Sequence, residues 1–167
     1  VNGQGDTPLL IAAYQGHGAI AEQLLDHGAD LHYRNETENA VLIAFTEGKI
    51  DVLELLLQRG GNPNERLSGG KTLLMQAADR GYTAVMNLLL NAKADANLTD
   101  DHQATALMWA AHRGYVQAVQ LLLDRCPNLD INARNKRGDT ALKIAQFNQC
   151  DRVVAVLKQA GAESSHN

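Results

Sequence analysis

The chain has 167 residues, 45% of them hydrophobic and 4% aromatic, with a formal charge of −4. No run approaches the roughly 20 apolar residues of a membrane-spanning helix, and the two cysteines, Cys126 and Cys150, form neither a CxxC motif nor a disulfide framework. Residues 1–66 carry ten acids and four bases, and residues 67–167 nine acids and eleven bases. The chain is therefore dipolar and lacks the basic stripe that a nucleic-acid backbone demands.

The first predicted element is a short helix that starts at Thr7. A threonine hydroxyl can cap free helix amides, and Pro8 follows at a position that needs no amide donor. Leu9, Ala12 and Ala13 make an apolar stripe, and Gly16 ends the helix because glycine accepts the left-handed conformation. A second helix from about Ala19 to His27 sets Ile20, Leu24 and Leu25 toward the core. Gly28 closes it, and Asp30 is placed to turn the following loop by accepting from nearby backbone amides.

The pattern then recurs about every 33 residues, as Thr72-Leu74-Ala77-Ala78-Gly81 and Thr105-Leu107-Ala110-Ala111-Gly114. A weaker copy, Asn39-Val41-Ala44-Gly48, has lost its Thr-Pro start and a finger residue, so this second unit is expected to exchange its amides earlier than the third, and it carries Phe45 where alanine is usual. A last copy runs Thr140-Leu142-Ala145. Second helices recur with Leu55-Leu56-Leu57, Leu88-Leu89-Leu90 and Leu121-Leu122-Leu123, and Leu121 is read as a core position. Turn formers between units, such as Arg66 to Gly70 and Thr99 to His102, predict hairpin-like fingers. Cys126 falls where glycine usually sits, so the loop that contains Pro127 is expected to take a different path. The units fall at residues 1–33, 34–65, 66–98, 99–133 and 134–162, with 163–167 read as a flexible tail. Such periodicity marks a solenoid, in which each unit buries its apolar face against its neighbours.

Thr-Pro-Leu, Ala-Ala, Gly, a Leu-Leu pair and Gly-Ala-Asp, complete in the first unit and recurring in part through five units in phase, resemble the ankyrin repeat family. The resemblance implies an all-α solenoid with short hairpin fingers, in which helix-turn-helix units stack in a curved array along one domain, 1–167. It also implies that Asn64, Asn97 and Asn132 fix their loops by side-chain hydrogen bonds. The family's histidine after Thr-Pro-Leu is replaced here by Leu10, Ile43, Met75, Met108 and Lys143, which exchanges a polar network for packing.

A catalytic constellation is missing from the sequence. The histidines at 17, 27, 32, 102, 112 and 166 make no HExxH, and His102 with His112 would be too few for zinc. Gly69-Gly70-Lys71-Thr72 lacks the spacing of a phosphate loop. Catalytic, cofactor and metal residues are therefore expected to be absent. The expected function is a non-catalytic module that binds a protein or peptide on the concave face formed by fingers and first helices. The alternative is a scaffold that spaces domains or packs end to end. Tyr14, Glu47, Lys71, Arg80, Met108, Trp109, His112, Arg113, Arg134 and Arg137 are the candidate contact residues, and Gln4 is read as lining the same concave face. Trp109 could be core or groove. A monomeric domain without nucleic-acid or membrane partners is expected, in a cytoplasmic or nuclear setting because two lone cysteines fit a reduced compartment. Val1 opens inside a repeat motif, which suggests a piece of a longer protein.

Overall fold

Five side chains at the expected spacing start five helices. Thr7 accepts from the Leu10 amide at 3.3 Å, Thr72 from Met75 at 3.3 Å, Thr105 from Met108 at 3.4 Å and Thr140 from Lys143 at 3.2 Å. The fifth is Asn39, whose Oδ1 accepts from the Leu42 amide at 3.0 Å. The expectation that the second unit had lost its cap was wrong, because an asparagine oxygen reaches the same amide as a threonine hydroxyl.

The computed structural model describes residues 1–3 and 5–163. Gln4, His166 and residues 164–167 of the expected tail lie outside the described residues. The described residues form ten α-helices. The first four are α1 (Pro8–Gln15), α2 (Gly18–Asp26), α3 (Ala40–Thr46) and α4 (Ile50–Gln58). Then come α5 (Leu73–Arg80), α6 (Thr83–Asn91), α7 (Ala106–Arg113), α8 (Val116–Arg125), α9 (Ala141–Phe147) and α10 (Asp151–Gln159). None is long and apolar enough to cross a membrane.

The chain divides into two compact units, Val1–Glu65 and Arg66–Asn167. In the first, α1 packs on α2 and α3, and α4 packs on α2 and α3. In the second, α5, α7 and α9 pack in succession while α6, α8 and α10 form the parallel row behind them. Small residues permit this closeness, since Ala77, Ala78, Ala110, Ala111 and Ala145 are all fully buried. The turn glycines do the same. A Cβ on Gly81 would meet the Tyr115 ring at 3.1 Å, and one on Gly114 would meet the Cys150 sulfur at 2.9 Å. In the last repeat Gln149 takes the left-handed turn in place of glycine, at φ 57°.

Two core assignments shift by one residue. Ile20 is 49% exposed and Ala21 holds the buried position of α2. In α8, Leu122 is fully buried with Ala118 and Val119, whereas Leu121 is only half-buried. The buried set 118, 119 and 122 follows helical spacing, which leaves 121 on its flank. Cys126 has φ −117°, outside the left-handed region, so the loop after α8 departs from its counterparts as expected. Cys126 and Cys150 are free thiols.

The loops repeat as strictly as the helices. Asp30 accepts from the His32 amide at 2.9 Å, Asn62 from Asn64 at 3.0 Å, Asp95 from Asn97 at 2.9 Å and Asp130 from Asn132 at 3.1 Å. Asn97 also ties successive loops, donating to the Asn128 carbonyl and accepting from the Asp130 amide, both at 2.8 Å. Asn132 accepts from the Glu163 amide at 2.9 Å. On the second helices, Arg59 reaches back to Asp26 at 2.6 Å and Glu22 at 3.0 Å, and Arg125 to Asn87 at 2.8 Å and Asn91 at 2.7 Å. Two of the fingers are closed by single antiparallel bridges, Arg34 to Asn39 and Arg66 to Thr72.

Candidate functional site

Within the second unit, the fingers are joined by backbone hydrogen bonds. The Asp101 amide donates to the Gly69 carbonyl at 3.0 Å and the Lys136 amide to the His102 carbonyl at 2.9 Å. Gly70 allows this approach, because a Cβ there would lie 2.5 Å from Asp101 Oδ1. Behind the joined fingers, α7 and α9 lie side by side. Between them opens a groove of about 540 Å³. Trp109 and His112 of α7, Ile144 and Phe147 of α9 and the finger residues His102 and Arg137 supply most of its character.

Trp109 organises one wall. Its Nε1 donates to Asp100 Oδ2 at 3.0 Å, and the other Asp100 oxygen accepts from the His102 and Ala104 amides at 2.8 and 2.9 Å. One buried carboxylate thus shapes the finger and fixes the indole. The ammonium of Lys71 lies 3.4 Å from the ring centroid, within cation–π range. His112 meets the ring edge-on, with centroids 6.4 Å apart. Asn148 of the loop after α9 is held 2.8 Å from His112 Nδ1 and donates to the His112 carbonyl at 2.9 Å.

Two more carboxylates are each shared by two cations. Asp79 receives Lys71 at 3.0 Å and Arg113 at 2.6 Å. Burial pushes the Asp79 carboxyl up, but the hydrogen bonds and charges of Arg113 and Lys71 outweigh it and hold the group below the usual carboxylate range. Asp139 receives Lys143 at 2.7 Å and Arg137 at 3.5 Å.

Of the residues expected to contact a partner, the structure brings Lys71, Trp109, His112 and Arg113 into one network, with Arg137 among the residues that line the groove. Met108 is 2% exposed, so it packs in the core beneath the groove and cannot protrude as an anchor. Arg80 is exposed at the end of α5. Arg134 folds onto its own finger and donates to the Gly138 carbonyl at 3.0 Å. Tyr14 and Glu47 are both exposed in the first unit, at the ends of α1 and α3. Sequence reasoning treated Asp100 only as a turn former and overlooked Ile144. The nine-residue step from Asp100 to Trp109, from a finger to the second turn of a helix, was the available signal. No group of three or more His, Cys, Asp or Glu is arranged to hold a metal ion among the described residues.

A family model described as ankyrin repeats (3 copies) matches residues 1–67 and 68–167. The chain is 36% identical over 85 residues to the mouse "Protein fem-1 homolog A-like", covering 50% of this chain and 13% of that protein. It is 34% identical over 87 residues to human "Ankyrin repeat domain-containing protein 63", covering 49% of this chain and 23% of that one. A third relative, the "Transient receptor potential cation channel subfamily A member 1 homolog" of Caenorhabditis elegans, is 34% identical over 82 residues, 48% of this chain and 7% of the channel protein. The matched stretch thus spans less than a quarter of each of these relatives.

Proposed function

The chain belongs to the ankyrin repeat family, whose repeats are in general protein–protein interaction modules, and on that premise we propose that it binds a protein or peptide segment in the groove between α7 and α9 and performs no chemistry. The observation that carries the reading is Phe147, which is 86% exposed at the edge of a groove that already holds a fixed indole. An aromatic side chain left in water beside a shaped concavity gains by being covered, and aromatic and arginine residues dominate binding energy at interfaces. A monomeric domain in a cytoplasmic or nuclear setting fits this reading.

The test begins with peptides selected from a displayed random library against the whole chain. Their affinities are then measured by fluorescence anisotropy for the parent, for Trp109→Ala/Arg113→Ala and for Phe147→Ala. Weakening by about 1–2 kcal/mol or more supports the groove. Unchanged affinity in both, with loss on substitution of exposed Gln120 or Asp124 of α8, sinks it.

A further inference from the structure

Exposure separates the charges around the groove by sign. The carboxylates are largely covered: Asp79 is 10% exposed, Asp139 16% and Asp100 6%. Of their cationic partners Lys71 is 18% exposed, whereas Arg113 is 51% exposed, Lys143 56% and Arg137 86%. A carboxylate shared by two cations leaves one positive charge over, and here the surplus stands at the surface. Arg137 and Lys143 both line the groove, with Asp139 as its only carboxylate among the lining residues. Arg137 spends a single 3.5 Å contact on Asp139, and a guanidinium has five donors in a fork that matches a carboxylate.

The apolar part carries a complementary restriction. Lys71 covers one face of Trp109, which leaves an incoming ammonium only the other face on which to stack. Phe147 and the half-buried Ile144 offer an uncharged surface immediately beside Lys143.

From this we infer that the occupant of the groove is an acidic peptide segment whose apolar side chain packs on Phe147 and Ile144 while a neighbouring carboxylate pairs with Arg137 and Lys143. The inference rests on the groove reading above. Electrostatic complementarity of this kind decides which partner is accepted and speeds its approach.

Trp109 is the chain's single tryptophan, so its fluorescence reports occupation of this site. Three displayed libraries share a randomised apolar centre and differ in flanks built from Asp and Glu, from Ser and Asn, or from Lys and Arg. The best peptide of each is synthesised with its charge-swapped analogue and titrated against the whole chain. The acidic library is expected to enrich, with Trp109 responding, and the Lys-flanked analogue to bind at least about tenfold more weakly. Arg137→Glu/Lys143→Glu should invert that preference. Both side chains are exposed, and the milder Arg137→Gln/Lys143→Gln, checked by circular dichroism, should abolish the preference without unfolding. Equal or better binding by neutral or basic peptides that still perturb Trp109 overturns the acidic partner and leaves the groove. Acidic binding that ignores both double substitutions and leaves Trp109 silent overturns it as well. Enrichment from none of the libraries removes the groove reading together with this one.

Discussion

Replacing Asp79 by asparagine removes a charge on which two cations converge and leaves one acceptor oxygen in place. The Lys71 bond is the weightier of the two, because that side chain is 18% exposed and the Asp79 carboxylate 10%. A hydrogen bond between charged groups contributes about 1.5–3 kcal/mol. The Arg113 contact stands at the solvent edge and adds little. With asparagine keeping part of the Lys71 bond, the expected loss is about 1–2 kcal/mol near neutral pH. The sign of the pH dependence follows from the depressed carboxyl. Its contribution is complete above the unfolded aspartate value of about 3.9 and disappears as pH falls through the lower folded value. Urea unfolding followed through Trp109 fluorescence, near pH 7 and again near pH 3, measures parent and Asp79→Asn side by side. The gap between them should narrow in acid. A gap that ignores pH, or one below about 0.5 kcal/mol near neutrality, refutes the assigned role.

Leu122→Ala should cost about 2–5 kcal/mol through the cavity it opens, and half-buried Leu121→Ala clearly less; chemical denaturation that reverses this order would discard the assigned phase of α8. Asn39→Ala should cost about 1 kcal/mol by uncapping α3, and amide exchange confined to α3 and α4 would register it; no change means the 3.0 Å bond contributes nothing. Gln149→Gly should raise stability by about 0.5–1 kcal/mol, because the left-handed turn strains a side chain; a lower melting temperature would contradict that. Burial pushes the Cys126 thiol up, with Arg125 opposing and Asp95 reinforcing, so alkylation of Cys126 in the folded chain should lag behind that in urea. Equal rates would deny the burial.

Much of the fold was legible because its determinants are local. Thr7, Thr72, Thr105 and Thr140 cap, and Gly16, Gly81 and Gly114 turn, wherever the period puts them. Reading Asn39 as a lost cap took residue identity for function, although the geometry needs only an oxygen at that reach. Leu121 and Ile20 were misplaced because these short helices bury few residues, Ala21 alone in α2 and Ala118, Val119 and Leu122 in α8, too few to fix the phase where apolar residues cluster. The groove was half legible. Fingers and first helices were the expected surface, and Trp109, left open between core and groove, proves half-buried and bonded at its edge. What the sequence withheld was pairing between repeats. Asp79 with Arg113 and His112 with Asn148 lie 34 and 36 residues apart, and a period names the repeat in which a partner lies, not the rotamer that reaches it.

The side-chain ties that clasp one repeat to the next have a kinetic consequence. Arg59 reaches back 33 and 37 residues, Arg125 34 and 38, Asn97 forward 31 and 33, and Asn132 forward 31. Each clasp closes a loop of one repeat, whatever the length of the chain. Loop-closure entropy is therefore met in equal small instalments instead of one large one. Ordering can begin at any well-formed pair of neighbours and spread outward. The refolding time of such an array is set by its best adjacent pair, and lengthening the chain by further repeats would leave that time nearly unchanged.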